Sequence, residues 1–549
     1  MLRRSRDIVL LSLLAAWAAF AAGGDAASKG KVLKDHGYGN FWNRLDAVRD
    51  LGKMNSKAAV EQLAEVLADP TDAPVREAAV MELASLKDKD AIAFLAGTLL
   101  PRSKDPLARA NAAWALRLLK DKSTLPALVT ALGDPDAHVR ACAAEAIGAM
   151  EDPSVADKLI AKLGDSDAKV RAAVAGALGR LKDPSATEPL AKRMNDGSVI
   201  AVAACLRALG EIDALKALPL LQEKLKSKEK EIKIAVVETL ARIDPHSAVD
   251  AAKTLIEDED WSVRAATTMA LIVTWDKGAI DVLVDRLQRE KGRLRFDEVT
   301  ALRKLTGKQI GFSPIDWKSW WDANKAAFEM PERPKKGKKN GDDADAPPAT
   351  QTSFFNIPLL SDRICFIIDF SGSMKTVEDP KAQTTEGAQS TEGMSKIEIA
   401  LKELEASINK LAPEVKFTVI MASTEATKQK LRTISKKLIP ATEANKKTAI
   451  QHVKDAWKKL QDIKRGRGDY YDAIMEAMED EEVDTVFLVA DGKPTYGLYC
   501  DEGNFVEFLG KENEFRKVMI HCILTGKKGT SPRFMEDVSE MTGGMFVKR

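Results

Sequence analysis

Residues 364–374 read ICFIIDFSGSM, and their order decides what the C-terminal third of the chain is. An almost unbroken apolar run, the mark of a strand buried on both faces of a sheet, ends on the carboxylate of Asp369 and is followed at once by Ser371 and Ser373. Three runs of the same kind come later, VKFTVIMAS, VDTVFLVAD and KVMIHCILTG. Between them KIEIALKELEASINKL, ANKKTAIQHVKDAWKKL, YDAIMEAMED and FVEFLGKENEF carry apolar residues at helical spacing. This alternation predicts a doubly wound α/β domain over residues 357–549, with GGMFVKR as its last strand. Ligands in such folds sit at the carboxyl ends of the strands. Asp369 stands at one of those ends and Asp491, in VADGKPTYG, at another.

The side chains expected there are all oxygen donors. Asp369, Ser371, Ser373 and Asp491 suit a hard cation, Mg²⁺ with Mn²⁺ or Ca²⁺ as alternatives, and the absence of His and Cys from the set is wrong for a tight zinc site. With so few carboxylates the ion keeps several waters, and one of those positions is where a partner's oxygen can enter. DFSGSM followed by VADGKPTYG, together with SKIEIALKEL and GDYYDAIMEAM, resembles a von Willebrand factor type A (vWA) domain with its metal-ion-dependent adhesion site (MIDAS). The resemblance covers residues 357–549 and implies a Rossmann-like fold. It also implies Asp369, Ser371, Ser373 and Asp491 as direct or water-mediated ligands. The role it implies is non-catalytic, the metal-bridged binding of a protein partner that presents an acidic side chain.

Three departures from that pattern stand out. Gly468 occupies the position where the family usually has a threonine, so either one hydroxyl ligand is lost or Asp469 supplies an oxygen in its stead. A polar insertion, residues 375–394, separates the serines from the next helix and could act as a flap. With GGMFVKR read as the last strand, the terminal helix through which some relatives couple metal binding to shape change is not expected. Lys464, Arg465, Arg467 and Lys493 form a basic edge, readable either as a lure for an acidic ligand or as a solvated loop.

Upstream, residues 330–356 open with MPERPKKGKKNGDDADAPPATQTS, which has prolines, glycines and charge runs but nothing to build a core. A flexible charged linker is the reading. Before it, residues 40–329 repeat themselves: DAHVRACAAEAIGAM, DAKVRAAVAGALGRL and DWSVRAATTMALIVT share one register. The marker position falls at Arg44, Arg76, Arg109, Arg140, Arg171, Val202, Lys233, Arg264 and Arg295, a spacing that settles at 31. A period of this length, with helical apolar spacing inside each unit, predicts stacked helical hairpins. Gly148, Gly179 and Gly210 read as C-terminal caps, and the acids four residues before the basic position (Asp72, Asp105, Asp136, Asp167, Glu229, Asp260) read as helix caps that also pair with it on one face. These units resemble HEAT-like repeats of the bacterial type, an all-α solenoid used as a scaffold or binding surface. Trp317, Trp320 and Trp321 lie at helical spacing, and the helix they mark is expected to cover the last apolar face.

At the other end, MLRRSRD followed by IVLLSLLAAWAAFAA and small residues predicts an export signal within residues 1–27, and hence a periplasmic, cell-surface or secreted protein with no membrane span after cleavage. The 83 basic and 82 acidic side chains give a net charge of +1, which excludes a global electrostatic footprint for nucleic acid. The five cysteines fall mostly in apolar helical or strand-like runs, unlike a disulfide framework. The five histidines are scattered without metal or catalytic spacing, and no nucleophile elbow or phosphate loop is present, so an enzyme is not expected. The function read from the sequence is an exported interaction and adhesion scaffold. Alternatives are an adaptor for a protein-remodelling ATPase, as some relatives of the α/β domain are, and a lyase-like enzyme by analogy with other HEAT-repeat proteins.

Overall fold

The computed structural model describes residues 26–35, 40–54, 56–86, 88–333, 353–377, 393–462, 466–525 and 533–549. All but the last two residues of the expected export signal, most of the expected linker and the bulk of the insertion lie outside them. The chain forms two compact units, residues 1–224 and 225–549.

In the first unit, helices Pro106–Leu119, Ala137–Ala149, Ala168–Leu181 and Val199–Ile212 pack each on the next. Asp105, Asp136 and Asp167 start three of them by accepting N–H groups of the first turn, at 2.8, 3.1 and 2.7 Å. These three caps are therefore as expected, whereas Glu229 makes no side-chain cap, and the carboxylate that Arg109, Arg140 and Arg171 each hydrogen-bond is not the acid four residues before it. Arg140 instead clamps Asp165 of the following hairpin with two bonds of 2.8 and 2.7 Å, Arg109 holds Asp134, and Arg171 holds Asp196, always 25 residues ahead. Each of these arginines also donates to the carbonyl six residues before it: Ser103, Asp134 and Asp165. The guanidinium thus ties its own helix start to the next hairpin.

The glycines play a different part from the one expected. Gly148 and Gly179 lie inside their helices, and Gly210 lies inside Val199–Ile212. A Cβ at Gly148 would meet the Ala177 Cα at 2.8 Å, and one at Gly179 the Ala208 Cα at 3.1 Å. Close helix contact, rather than chain reversal, selects glycine here. The reversals are made by Lys120 and Lys182, with φ of 54° and 53°.

The second unit contains further hairpins and a sheet domain. Lys233 pairs with Asp258 at 2.6 Å and Arg264 with Glu290 at 2.9 Å, so the same ladder recurs. The helix Pro314–Asn324 buries Trp317 and Trp321 against Val249, Ile280 and Leu302, which covers the apolar face as the sequence predicts. Strands β1 (Ser353–Phe354) and β2 (Ile357–Pro358) form a short antiparallel ladder, and Phe354 and Phe355 are buried in the sheet domain's core, so the expected linker does not run to residue 356. The main sheet comprises β3 (Arg363–Asp369), β4 (Lys416–Ala422), β5 (Ile439–Pro440), β6 (Thr485–Ala490), β7 (Met519–Leu524) and β8 (Phe546–Lys548) in the order β5-β4-β3-β6-β7-β8. All neighbours are parallel except β5, which runs against β4.

Alternation along β3 explains why its sequence is apolar throughout. Ile364, Phe366 and Ile368 pack into one core with helices Lys396–Lys410 and Glu443–Leu460, whereas Cys365 and Ile367 join a second core with Tyr470–Met478, Glu502–Glu512 and Arg533–Thr542. Chain order reverses across β3, because β4 lies on one side of it and β6 on the other. That switch point is where a crevice opens beyond the strand ends. The sheet domain also touches the hairpins of its own unit: Trp261 Nε1 donates to the Glu481 carbonyl at 3.3 Å, and Arg293 to the Asp484 carbonyl at 3.0 Å.

Candidate metal site

The end of β3 delivers Asp369 into this crevice, and the turn Gly372–Lys375 folds Ser371 and Ser373 back over it. Ser371 donates its N–H to Asp369 Oδ1 at 2.7 Å and its hydroxyl to Asp369 Oδ2 at 2.9 Å. Ser373 donates its hydroxyl to Asp491 Oδ1 at 2.9 Å, from the loop that follows β6. The two serine oxygens stand 3.0 Å apart. Four of the five residues expected from the sequence, Asp369, Ser371, Ser373 and Asp491, are thus brought into one chain of contacts.

The fifth is placed elsewhere. Asp469 is buried, but its carboxylate is bound by Arg432, which also holds Glu476, and it makes no hydrogen bond to the other four. Burial pushes its carboxyl up to about 7 despite that guanidinium. The basic edge is likewise partly committed: Lys493 pairs with Glu502, and the Arg467 guanidinium lies 4.4 Å from the centroid of the Tyr496 ring. Lys464 and Arg465 lie outside the described residues.

Two side chains that the sequence reading passed over complete the cluster. Tyr470, 1% exposed, donates its hydroxyl to Asp369 Oδ2 at 2.7 Å. Lys396 donates to Asp491 Oδ2 at 2.8 Å. A Cβ on Gly468 would sit 2.6 Å from the Tyr470 ring, so the missing side chain at the usual threonine position is what makes room for the tyrosine. The signal was present as a glycine two residues before an aromatic one, in GDYY.

These atoms fit a divalent cation on two counts. First, Asp369 is fully buried and its partners are all neutral donors; burial, and then the charge of Asp491, push its carboxyl up to about 7. A positive charge beside it would compensate both effects. Second, the Ser371 and Ser373 hydroxyl oxygens stand 3.0 Å apart, each within hydrogen-bond distance of one of the two carboxylates, so four oxygen-bearing side chains converge on one point. The donors are carboxylate and hydroxyl oxygens, the chemistry of Mg²⁺, Mn²⁺ or Ca²⁺.

By class, the chain joins a helical-repeat part to a C-terminal mixed α/β-sheet domain. The HEAT-repeat family model matches residues 38–100, 98–165, 156–231 and 218–303, so these segments are HEAT repeats. Among solved structures, the complex of CpcE and CpcF of phycocyanin lyase from Nostoc sp. PCC7120 is 23% identical, with 44% of this chain and 94% of that one covered and a TM-score of 0.30. Human deoxyhypusine hydroxylase is 22% identical over 46% of this chain and 98% of that one, with a TM-score of 0.22. Kap121p is 12% identical over 52% and 41%, with a TM-score of 0.39. Likenesses this distant carry no argument about what the chain does. Comparison with curated protein sequences finds no match.

Proposed function

We propose that the chain is an exported, non-catalytic interaction and adhesion scaffold whose sheet domain is of the vWA kind. The HEAT repeats offer a surface to one protein partner, and a divalent ion held by Asp369, Ser371, Ser373 and Asp491 receives an acidic group of another. Mg²⁺ is the first choice of ion, with Mn²⁺ and Ca²⁺ as alternatives. The observation that carries this reading is the fully buried Asp369 carboxylate, met only by neutral donors, with the Ser371, Ser373 and Asp491 oxygens converging beside it. When bound, the ion supplies a Lewis-acidic position for an oxygen from outside. Asp369 and Asp491 would supply the charge that retains it, and Ser371 and Ser373 would supply hydroxyl oxygens to it.

The test is calorimetric titration of the full chain with Mn²⁺. Binding is expected in the wild type and absent in Asp369→Ala, and a metal-dependent pull-down from envelope extracts should be lost in Ser371→Ala. Undiminished Mn²⁺ binding by Asp369→Ala would overturn the assignment.

A further inference from the structure

Lys396 is placed against the local preference of its helix. It is the first residue of Lys396–Lys410, where the macrodipole favours acids, and the acid that satisfies that end is Glu398, in a capping box with Ser395. Nothing in the helix asks for a cation here. Asp491 does: the Lys396 ammonium meets its Oδ2 at 2.8 Å, with side-chain exposures of 18% for the lysine and 6% for the aspartate. The position is fixed from the other side as well. The Lys396 N–H donates to the Thr376 carbonyl at 3.1 Å, and Val377 bridges to Ser395, so the serine turn and the helix start are tied directly.

Lys396 is also the one cation hydrogen-bonded to the cluster among the described residues, since the other partners of Asp369 and Asp491 are serine or tyrosine groups. Lys375, the nearest lysine in sequence to the serines, is turned away to the Leu460 carbonyl and the Trp457 ring. With both carboxylates ionised, the two of them and one ammonium leave the cluster with a single negative charge. A divalent ion would change this to a single positive charge, the sign that an acidic partner meets.

We propose that Lys396 is a resident cation of this site, holding Asp491 in place when no metal is bound and lowering the affinity for the divalent ion when one arrives. The inference rests on the metal reading above. Two like charges drawn to the same carboxylate oppose each other, and low exposure keeps solvent from screening them fully.

Full-chain variants titrated with Mn²⁺ alone decide it. Lys396→Gln keeps a donor for Asp491 and removes the charge; it is expected to bind Mn²⁺ about tenfold more tightly than wild type, the effect of one partly screened unit charge at short range. Its unfolding midpoint should also rise more on adding Mn²⁺ than that of wild type. Lys396→Arg, which retains the charge, should stay near the wild-type affinity. Mn²⁺ binding by Lys396→Gln where the wild type shows none would equally support the proposal. Equal or weaker binding by a folded Lys396→Gln, with Asp369→Ala still abolishing it, would overturn the role of Lys396 and leave the metal site standing. Binding that survives Asp369→Ala, or is absent from wild type and Lys396→Gln alike, would overturn both.

Discussion

At the scale of single residues, the cluster divides into what a linear motif can carry and what it cannot. Asp369, Ser371 and Ser373 lie within five positions at the end of one strand, and Asp491 follows another apolar strand, so their convergence was legible from strand ends alone. Tyr470 was not, because the apolar spacing of its helix accounts for it without any site, and Lys396 was not, because a lone lysine at a helix start reads as a solvated side chain until Asp491 is placed beside it. Gly468 shows why a motif departure needs a structure to interpret: the empty position is filled by the Tyr470 ring rather than by Asp469. Restoring a side chain at 468 should therefore be harmful. Gly468→Ala places a Cβ 2.6 Å from that ring and is expected to cost about 1–3 kcal/mol in urea unfolding, the range for overpacking. In a Tyr470→Ala background the same change should be close to neutral, and a cost equal in both backgrounds would show that the ring is not what the glycine serves.

Helices and turns repeat one device, and the sequence displays it only in part. The period of 31 and the Asp caps were readable, because both recur within a single unit. The true partner of each arginine was hidden because it sits 25 residues ahead, a distance that means nothing until hairpins are stacked. In retrospect the double acid of DPDAHVR and DSDAKVR holds the signal: the second Asp caps its own helix, and the first reaches back to the previous arginine. Asp196 illustrates the energetics. The Arg171 hydrogen bond outweighs the cost of burial and, with the Ser198 N–H, holds its carboxyl below the usual range. A depressed folded-state value means that the stabilisation is complete above the unfolded value of about 3.9 and is lost as pH falls through the lower folded value. Asp196→Asn should cost about 2 kcal/mol at pH 7, between the exposed and fully buried limits for an ion pair. The gap to wild type should narrow as pH falls below that unfolded value, and a gap that stays constant with pH would remove the charge from the explanation.

For the whole molecule, the question is whether the sheet domain hangs from a tether or is held. The charged, core-less segment after residue 330 reads as a tether, and no local pattern announces contacts that span 191 and 220 residues. Within residues 225–549 those contacts are specific. The guanidinium groups of Arg293 and Arg363 lie 5.6 and 5.3 Å from the centroid of the Trp261 ring, and Arg363 in turn binds the buried Asp484 carboxylate at 2.7 Å. Arg293 donates to the carbonyls of Asp484 and Lys517, beside β6 and β7 at the strand ends opposite Asp369 and Asp491. His521 on β7 accepts the Met545 N–H at 2.9 Å, and burial, with the charge of Arg293 second, brings its pKa down to about 3, so it stays neutral in this wall. Removing Arg293 would strip the Lys517 carbonyl of its donor, at about 1–3 kcal/mol for a buried acceptor left unpaired, and would take one of two donors from the Asp484 carbonyl, which keeps the Met519 N–H; removing Trp261 would take away the surface on which both guanidinium groups rest. A protease site introduced within residues 334–352 makes the consequence measurable. After cleavage, the repeat and sheet fragments of the wild type should still elute together on gel filtration, whereas Trp261→Ala/Arg293→Ala should release a folded sheet fragment that still binds Mn²⁺. Wild-type fragments that separate on cleavage would mean that the covalent connection, and not this contact, keeps the sheet domain beside the repeats.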